Sequence, residues 1–172
     1  MGILSNFWEN FYHKKVLDGV SSLIKMRRKN AKWKAGQDWV QYSGPFFDEK
    51  EYKAAIESLM SEWLIFGKKG REFELEFAEK LDKEFGVLTN SGSSANLLMV
   101  SLLKSKKAGF DVKPGDQFIT PVVCFPTTIN PLIQNGFEPV FVDVTLPNLH
   151  IDLDQVEALL KKDKKKKIKG II

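Results

Sequence analysis

The chain of 172 residues has a single cysteine, Cys124, and two histidines, His13 and His150. One thiol excludes an internal disulfide. It also leaves too few soft ligands for a structural zinc site built from this chain alone. No run of about 18 apolar residues occurs, so no segment reads as membrane-spanning. The first residues lack the apolar core and small-residue cleavage site of a secretory signal. Met1-Gly2 opens like a myristoylation motif, but Asn6 stands where that motif needs Ser or Thr. A reducing cytoplasm is the expected compartment. The nucleotide loop Gly-x-x-x-x-Gly-Lys is missing, and so is Gly-x-Gly-x-x-Gly. Gly92-Ser93-Ser94 lacks the spacing of a serine-hydrolase elbow, and His150 is the only later histidine. Cys124 has no neighbouring histidine and reads as a small buried thiol rather than a nucleophile.

What is present is globular. The chain is 43% hydrophobic and 28% charged, long enough for one domain with a core. Its net charge of +4 is unevenly spread. Residues 1–36 carry eight Lys/Arg against Glu9 and Asp18, whereas the remainder is slightly acidic. A basic arm of this kind suits a solvated helix face, or more weakly an anionic partner such as nucleic acid. The lysine run from Lys161 to Lys167 has no interleaved aromatics for base stacking and reads as a solvated helix end.

Residues 5–29 have a helical stripe of Trp8, Tyr12, Val16, Val20 and Leu23, expected to dock on the chain's own fold or on a partner. Residues 30–47 read as an extended connector. Asp48 with Glu51 forms an Asp-headed capping box ahead of Tyr52, Ala55, Ile56, Leu59, Met60 and Trp63, an apolar helix face. Phe73, Phe77, Leu81 and Phe85 mark a further helix, expected to end near Gly86. Strand–helix alternation follows. Strands are expected over 87–89, 117–120, 139–144 and 168–172. Helices are expected over 93–105, after Pro126, and after Asp152 with Val156, Leu159 and Leu160 inward. Pro131 suggests a short or kinked helix. The order β-α-β-α-β-α-β is that of a parallel sheet with right-handed crossovers. Because it stops on an apolar strand, the chain reads as the N-terminal portion of a longer protein, inactive alone and prone to aggregate at its open edge.

Chemistry concentrates at two strand ends. Thr89-Asn90-Ser91-Gly92-Ser93-Ser94-Ala95-Asn96 is a small-residue turn opening a helix, where free N–H groups and the helix dipole favour a phosphate. The next strand ends in Val123-Cys124-Phe125-Pro126-Thr127-Thr128. Ligands of open parallel sheets sit beyond the carboxyl ends of strands. A flat Phe125 ring beside a phosphate cradle suits a phosphorylated aromatic cofactor. Taken alone, small residues at a helix start are more commonly caps than ligand sites, and Phe125 by itself is more often core than cofactor platform; their pairing at successive strand ends raises the functional reading.

Taken together these motifs are specific. Tyr42-Ser43-Gly44-Pro45, Trp63-Leu64 with Gly67, Phe73-Glu74 through Phe85-Gly86, Ser91-Gly92-Ser93-Ser94-Ala95, Phe125 and Phe137-Glu138-Pro139-Val140-Phe141-Val142-Asp143-Val144 occur in one order. In that order the chain resembles the first part of the DegT/DnrJ/EryC1/StrS sugar aminotransferases and dehydrases, over about residues 40–172. The resemblance implies the large domain of the aspartate-aminotransferase fold, an incomplete and mainly parallel sheet flanked by helices. Residues 1–36 are then a basic helical extension and residues 37–172 the first part of the cofactor-binding domain. It further implies pyridoxal 5'-phosphate or pyridoxamine 5'-phosphate, with Gly92, Ser93 and Ser94 at the phosphate and Phe125 on the ring. A nucleotide-linked 4-keto-hexose is the implied substrate, and a homodimer the implied assembly. Cys124-Phe125-Pro126-Thr127-Thr128-Ile129-Asn130-Pro131 is most similar to the CDP-4-keto-6-deoxyglucose 3-dehydrase branch, which removes a sugar 3-hydroxyl in deoxysugar and lipopolysaccharide biosynthesis. By the same resemblance, the lysine that bonds the cofactor (or the histidine replacing it) and any [2Fe-2S] cysteines are expected beyond Ile172, so no catalytic residue is assigned. The competing expectation is a non-catalytic α/β interaction module with a basic arm.

Overall fold

The computed structural model describes residues 2–41 and 43–172. Met1 and Tyr42 lie outside the described residues, and with them part of the Met1-Gly2 motif and the start of Tyr42-Ser43-Gly44-Pro45. Two compact units divide between Phe73 and Glu74.

In the first unit, helix α1 (Gly2–Asn30) packs on α2 (Glu49–Met60). The buried residues of α1 are Ser21 and Ile24, with Leu17 and Val20 half-buried beside them. That i, i+3, i+4, i+7 set replaces the expected stripe. Trp8, Tyr12, Val16 and Leu23 stay exposed, because at helical spacing they fall on a different face from Leu17, Ser21 and Ile24. Lys25 pairs with Glu49 at 3.2 Å. The Arg28 guanidinium donates to the Phe47 carbonyl and lies 4.6 Å from the centroid of the Phe46 ring. The expected capping box of α2 is present: Asp48 accepts from Lys50 N–H and Glu51 accepts from Asp48 N–H, both at 2.7 Å. Its apolar face is largely uncovered, with Leu59 61% exposed, and Trp63 falls beyond the helix.

Helix α3 (Lys68–Lys80) crosses the boundary between the units and ends earlier than the sequence suggests. Asp82 takes a left-handed backbone, φ 52°, and the Asp82 and Lys83 N–H groups bond the Glu79 and Ala78 carbonyls at 3.0 and 2.9 Å. These bonds form a Schellman closure with an aspartate where glycine is usual. Gly86 serves another purpose. A Cβ there would stand 2.6 Å from the Glu74 carbonyl oxygen, so the backbone passes α3 too closely for any side chain.

Residues 87–89 are extended but pair with no described strand, contrary to the sequence expectation. Leu88 N–H instead donates to Glu74 Oε1 at 2.8 Å. After α4 (Gly92–Leu103) and a 3₁₀ turn, β1 (Gln117–Pro121) begins the sheet. The order is β2-β1-β5, all parallel, with β2 at Glu138–Val142 and β5 at Ile168–Ile171. Against β5 the register slips between Gln117 and Phe118, and Lys169 falls at that irregularity, 3.3 Å from Asp111. Side chains alternate across β1. Phe118 joins Val100, Leu132 and Phe137 on the face of α4 and α5 (Pro126–Gln134), while Ile119 joins Val142 and Val156 on the face of α6 (Leu153–Lys162). Each such side chain contributes about 1.5–3 kcal/mol by leaving water.

The apolar run 139–144 is not one strand. Asp143 N–H donates to Gln155 Oε1 at 3.1 Å, interrupting the ladder, and β3 (Val144–Thr145) turns away to pair antiparallel with β4 (His150–Ile151). Asp152 caps α6 as expected; Val156 is buried and Leu159 half-buried, but Leu160 is half-exposed. Beyond α6, Asp163 accepts from Ile168 N–H at 2.8 Å and Lys167 N–H at 3.0 Å, which hold its carboxyl below the ordinary carboxylate range and set the chain's entry into β5.

Candidate functional site

The site is built where two helices start. In the first, Ser91 is the N-cap of α4, and its hydroxyl accepts from Ser94 N–H at 3.1 Å. Ala95 N–H bonds the Ser91 carbonyl at 3.0 Å. The cap therefore consumes one of the donors that the sequence left open. Gly92 and Ser93 keep N–H groups that no described group accepts, aligned with the positive end of the helix. A Cβ at Gly92 would meet nothing within 4 Å. Packing within this chain does not demand that glycine; its effect is to leave the approach to the backbone clear.

The second helix, α5, has Phe125 at its N-cap and Pro126 in its first turn, where a missing N–H is no loss. The two starts touch. Ser93 Oγ bonds Thr127 Oγ1 at 3.2 Å, and the Asn96 side-chain amide donates to the Thr127 carbonyl at 3.4 Å. Farther along, the Asn135 amide bridges Ser101 Oγ (3.2 Å) and the Pro131 carbonyl (2.9 Å). Between the helices lies an open pocket of about 190 Å³, with Ser93, Ser94, Thr127 and Asn130 on its polar side and Leu97 and Pro131 on its apolar side.

Of the residues singled out from sequence, Ser93 and Ser94 line this pocket and Gly92 adjoins it in the chain. Phe125 does not line it; the residue is 66% exposed at the neighbouring helix start. Thr127, Asn130 and Asn96 were not anticipated. A signal for Asn96 did exist, since a proline inside a helix leaves the carbonyl four residues back in want of a donor. No titratable side chain lines the pocket, so its polarity comes from hydroxyls, the side-chain amides of Asn130 and Gln134, and backbone N–H groups.

The DegT/DnrJ/EryC1/StrS aminotransferase family matches residues 45–172. The chain belongs to this family. It is 43% identical over 125 residues to the lipopolysaccharide biosynthesis protein RfbH of Salmonella typhimurium, covering 72% of this chain and 29% of that protein. Its fold matches the E. coli GDP-4-keto-6-deoxy-D-mannose-3-dehydratase with bound hydrated PLP, at a TM-score of 0.61 and 34% identity over 70% of this chain and 31% of the other. It also matches Helicobacter pylori PseC, an aminotransferase involved in the biosynthesis of pseudoaminic acid, at a TM-score of 0.63 and 28% identity, covering 78% and 33%. The chain thus spans less than a third of the family members it matches. Its α/β architecture is that of the PLP-dependent sugar aminotransferases and dehydratases. No described helix is long and apolar enough to cross a membrane.

Proposed function

We propose that this chain supplies the cofactor-phosphate end of a pyridoxal- or pyridoxamine-phosphate-dependent enzyme acting on a nucleotide-linked 4-keto-hexose, by loss of the 3-hydroxyl or by transamination. The observation that carries the reading is the Ser93–Thr127 hydrogen bond, which brings the two small-residue helix starts into one cradle. The names of the matching proteins, dehydratases and aminotransferases of deoxysugar and surface-polysaccharide synthesis, support it.

The residues fit the group. Gly92 and Ser93 present free N–H groups to a phosphate, and Ser94 and Thr127 add hydroxyls. Each charge-assisted hydrogen bond contributes about 1.5–3 kcal/mol. Thr127 accepts from Ser93, which leaves its own O–H free to donate to the ligand. Phe125 offers a flat face for the ring. When bound, the cofactor supplies an electron sink for proton removal beside its amine carbon. Within residues 1–172 we assign anchoring and orientation, but neither a proton-transferring base nor a ligand of a [2Fe-2S] cluster. In this reading residues 37–172 begin the cofactor-binding domain, residues 1–36 are a basic extension, and the working enzyme is a cytoplasmic homodimer.

The test is a titration of the chain with pyridoxal phosphate and with pyridoxal, followed by ligand fluorescence. Binding that needs the phosphate, and that weakens about tenfold or more in Ser93→Ala/Ser94→Ala, is the expected result. Equal affinity for both ligands, or none for either, removes the cofactor assignment and favours an interaction module.

A further inference from the structure

Helix α5 carries a defect in its interior. Pro131 lies six positions into a nine-residue helix and is buried. It has no N–H, so the α-helical bond to the carbonyl four residues back, that of Thr127, cannot form. The carbonyl is not left bare. Asn96, one turn into α4, donates its side-chain amide to it at 3.4 Å. One turn nearer the N-terminus on the same face of α4, Ser93 holds the hydroxyl of the same threonine. Thr127 is therefore gripped through both its backbone and its side chain by one helix, and with Asn130 it brings α5 to the polar side of the pocket, where Ser93 and Ser94 lie.

Neither half of this arrangement is useful alone. An asparagine in the second turn of a helix is a middling helix former and has no partner within α4. A proline in the interior of a helix is destabilising unless the freed carbonyl finds another donor. Together the two replace a bond within α5 by a bond between α4 and α5. An ordinary α5, with the intrahelical bond restored, could slide along α4 without losing it. The helix as built cannot.

We propose that Asn96 is a positioning residue for the phosphate cradle. By bonding the carbonyl that Pro131 frees, it fixes the start of α5 against the start of α4, so that Ser93, Ser94 and Thr127 converge on one anion. This rests on the cofactor-phosphate reading above. Asn96 need not touch the ligand; it acts through Thr127.

The proposal makes the effects of two substitutions interdependent. In Pro131→Ala the new N–H reaches the Thr127 carbonyl, so Asn96 loses its special partner. A double-mutant cycle on the full chain reads this directly. Asn96→Ala in the wild-type background is expected to weaken pyridoxal phosphate and inorganic phosphate binding about tenfold and to leave pyridoxal binding unchanged. In the Pro131→Ala background the same substitution is expected to change phosphate affinity less than about twofold. A thermal-unfolding cycle on the same four proteins, run without ligand, is expected to show the same coupling. A merely structural asparagine would lower the melting temperature of both backgrounds and change affinity for pyridoxal and its phosphate alike. Either an equal loss of phosphate affinity in both backgrounds or no loss in Asn96→Ala overturns the proposal and leaves the cofactor reading standing. Coupling in the melts with no phosphate-dependent binding by the wild type overturns the cofactor reading, and the positioning role with it.

Discussion

Residues up to Phe73 and residues from Glu74 onward are equally rich in apolar side chains, yet they bury them very differently. The second unit has two closed clusters, around Phe118 and around Ile119, with Ile119 and Leu132 fully inaccessible. In the first, Ile24 is the one buried hydrophobic residue among those described, while Trp39, Phe46 and Ile65 are more than 70% exposed. Caps and helical periodicity make α1 and α2; they do not close a core. In the second unit a sheet gives the helices a surface to lie on, and each strand residue faces one helix layer or the other. Local pattern sets where an element forms, and a second layer decides whether its apolar face is used.

The contrast is best tested by matched truncations. Leu132→Ala is expected to cost about 2–5 kcal/mol in urea unfolding, because a fully inaccessible side chain leaves a cavity between β1 and α5. Leu59→Ala, on the open face of α2, is expected to stay within about 0.5 kcal/mol. Equal losses would mean that the first unit is closed in solution and would break the comparison. Next in size is Gly86→Ala. The added methyl would press on the Glu74 carbonyl oxygen, and a cost of about 1–3 kcal/mol is expected, with Leu88 amide exchange accelerating as its bond to Glu74 loosens.

The smallest effect is in acid. In each unit a carboxylate is held below its ordinary range by backbone N–H groups, Asp48 chiefly by Lys50 and Asp163 chiefly by Ile168. A depressed folded-state value means that the stabilisation is complete above the unfolded value of about 3.8 and fades as the pH drops below it toward the folded value. Melting temperatures measured from pH 6 down to pH 2 are therefore expected to fall along this limb, and Asp163→Asn is expected to flatten it. An unaltered acid limb in Asp163→Asn would show that the turn into β5 is set by something other than this carboxylate.

Much of the second unit was legible in the chain. Asp152 marks a helix start through side-chain bonds made within a few residues, as Asp48 does in the first unit; Pro126 marks one by its fixed backbone angle, and the central strands are read from short apolar runs. What was missed depends on distant partners. Residues 87–89 look like a strand, but a strand is defined by its neighbour, and none of the described strands pairs with it. The end of α3 was misplaced because Asp82 adopts a backbone usually left to glycine. On α1, the stripe read through Trp8, Tyr12, Val16 and Leu23 lies beside the face of Leu17, Ser21 and Ile24 that is buried, not on it. At the site, Ser93 and Ser94 were readable from turn chemistry, whereas Thr127 entered only when Ser93 was found bonded to it across the chain.

The strand order has a consequence for synthesis on the ribosome. The middle strand, β1, is flanked by two strands that are both made after it, and Gln117 meets Ile168 only when nearly all of the sequence up to Ile172 has been translated. Until then one side of β1 offers bare peptide groups to any passing strand. Shielding of that edge over the interval matters more here than it would for a sheet laid down strand by strand from one edge.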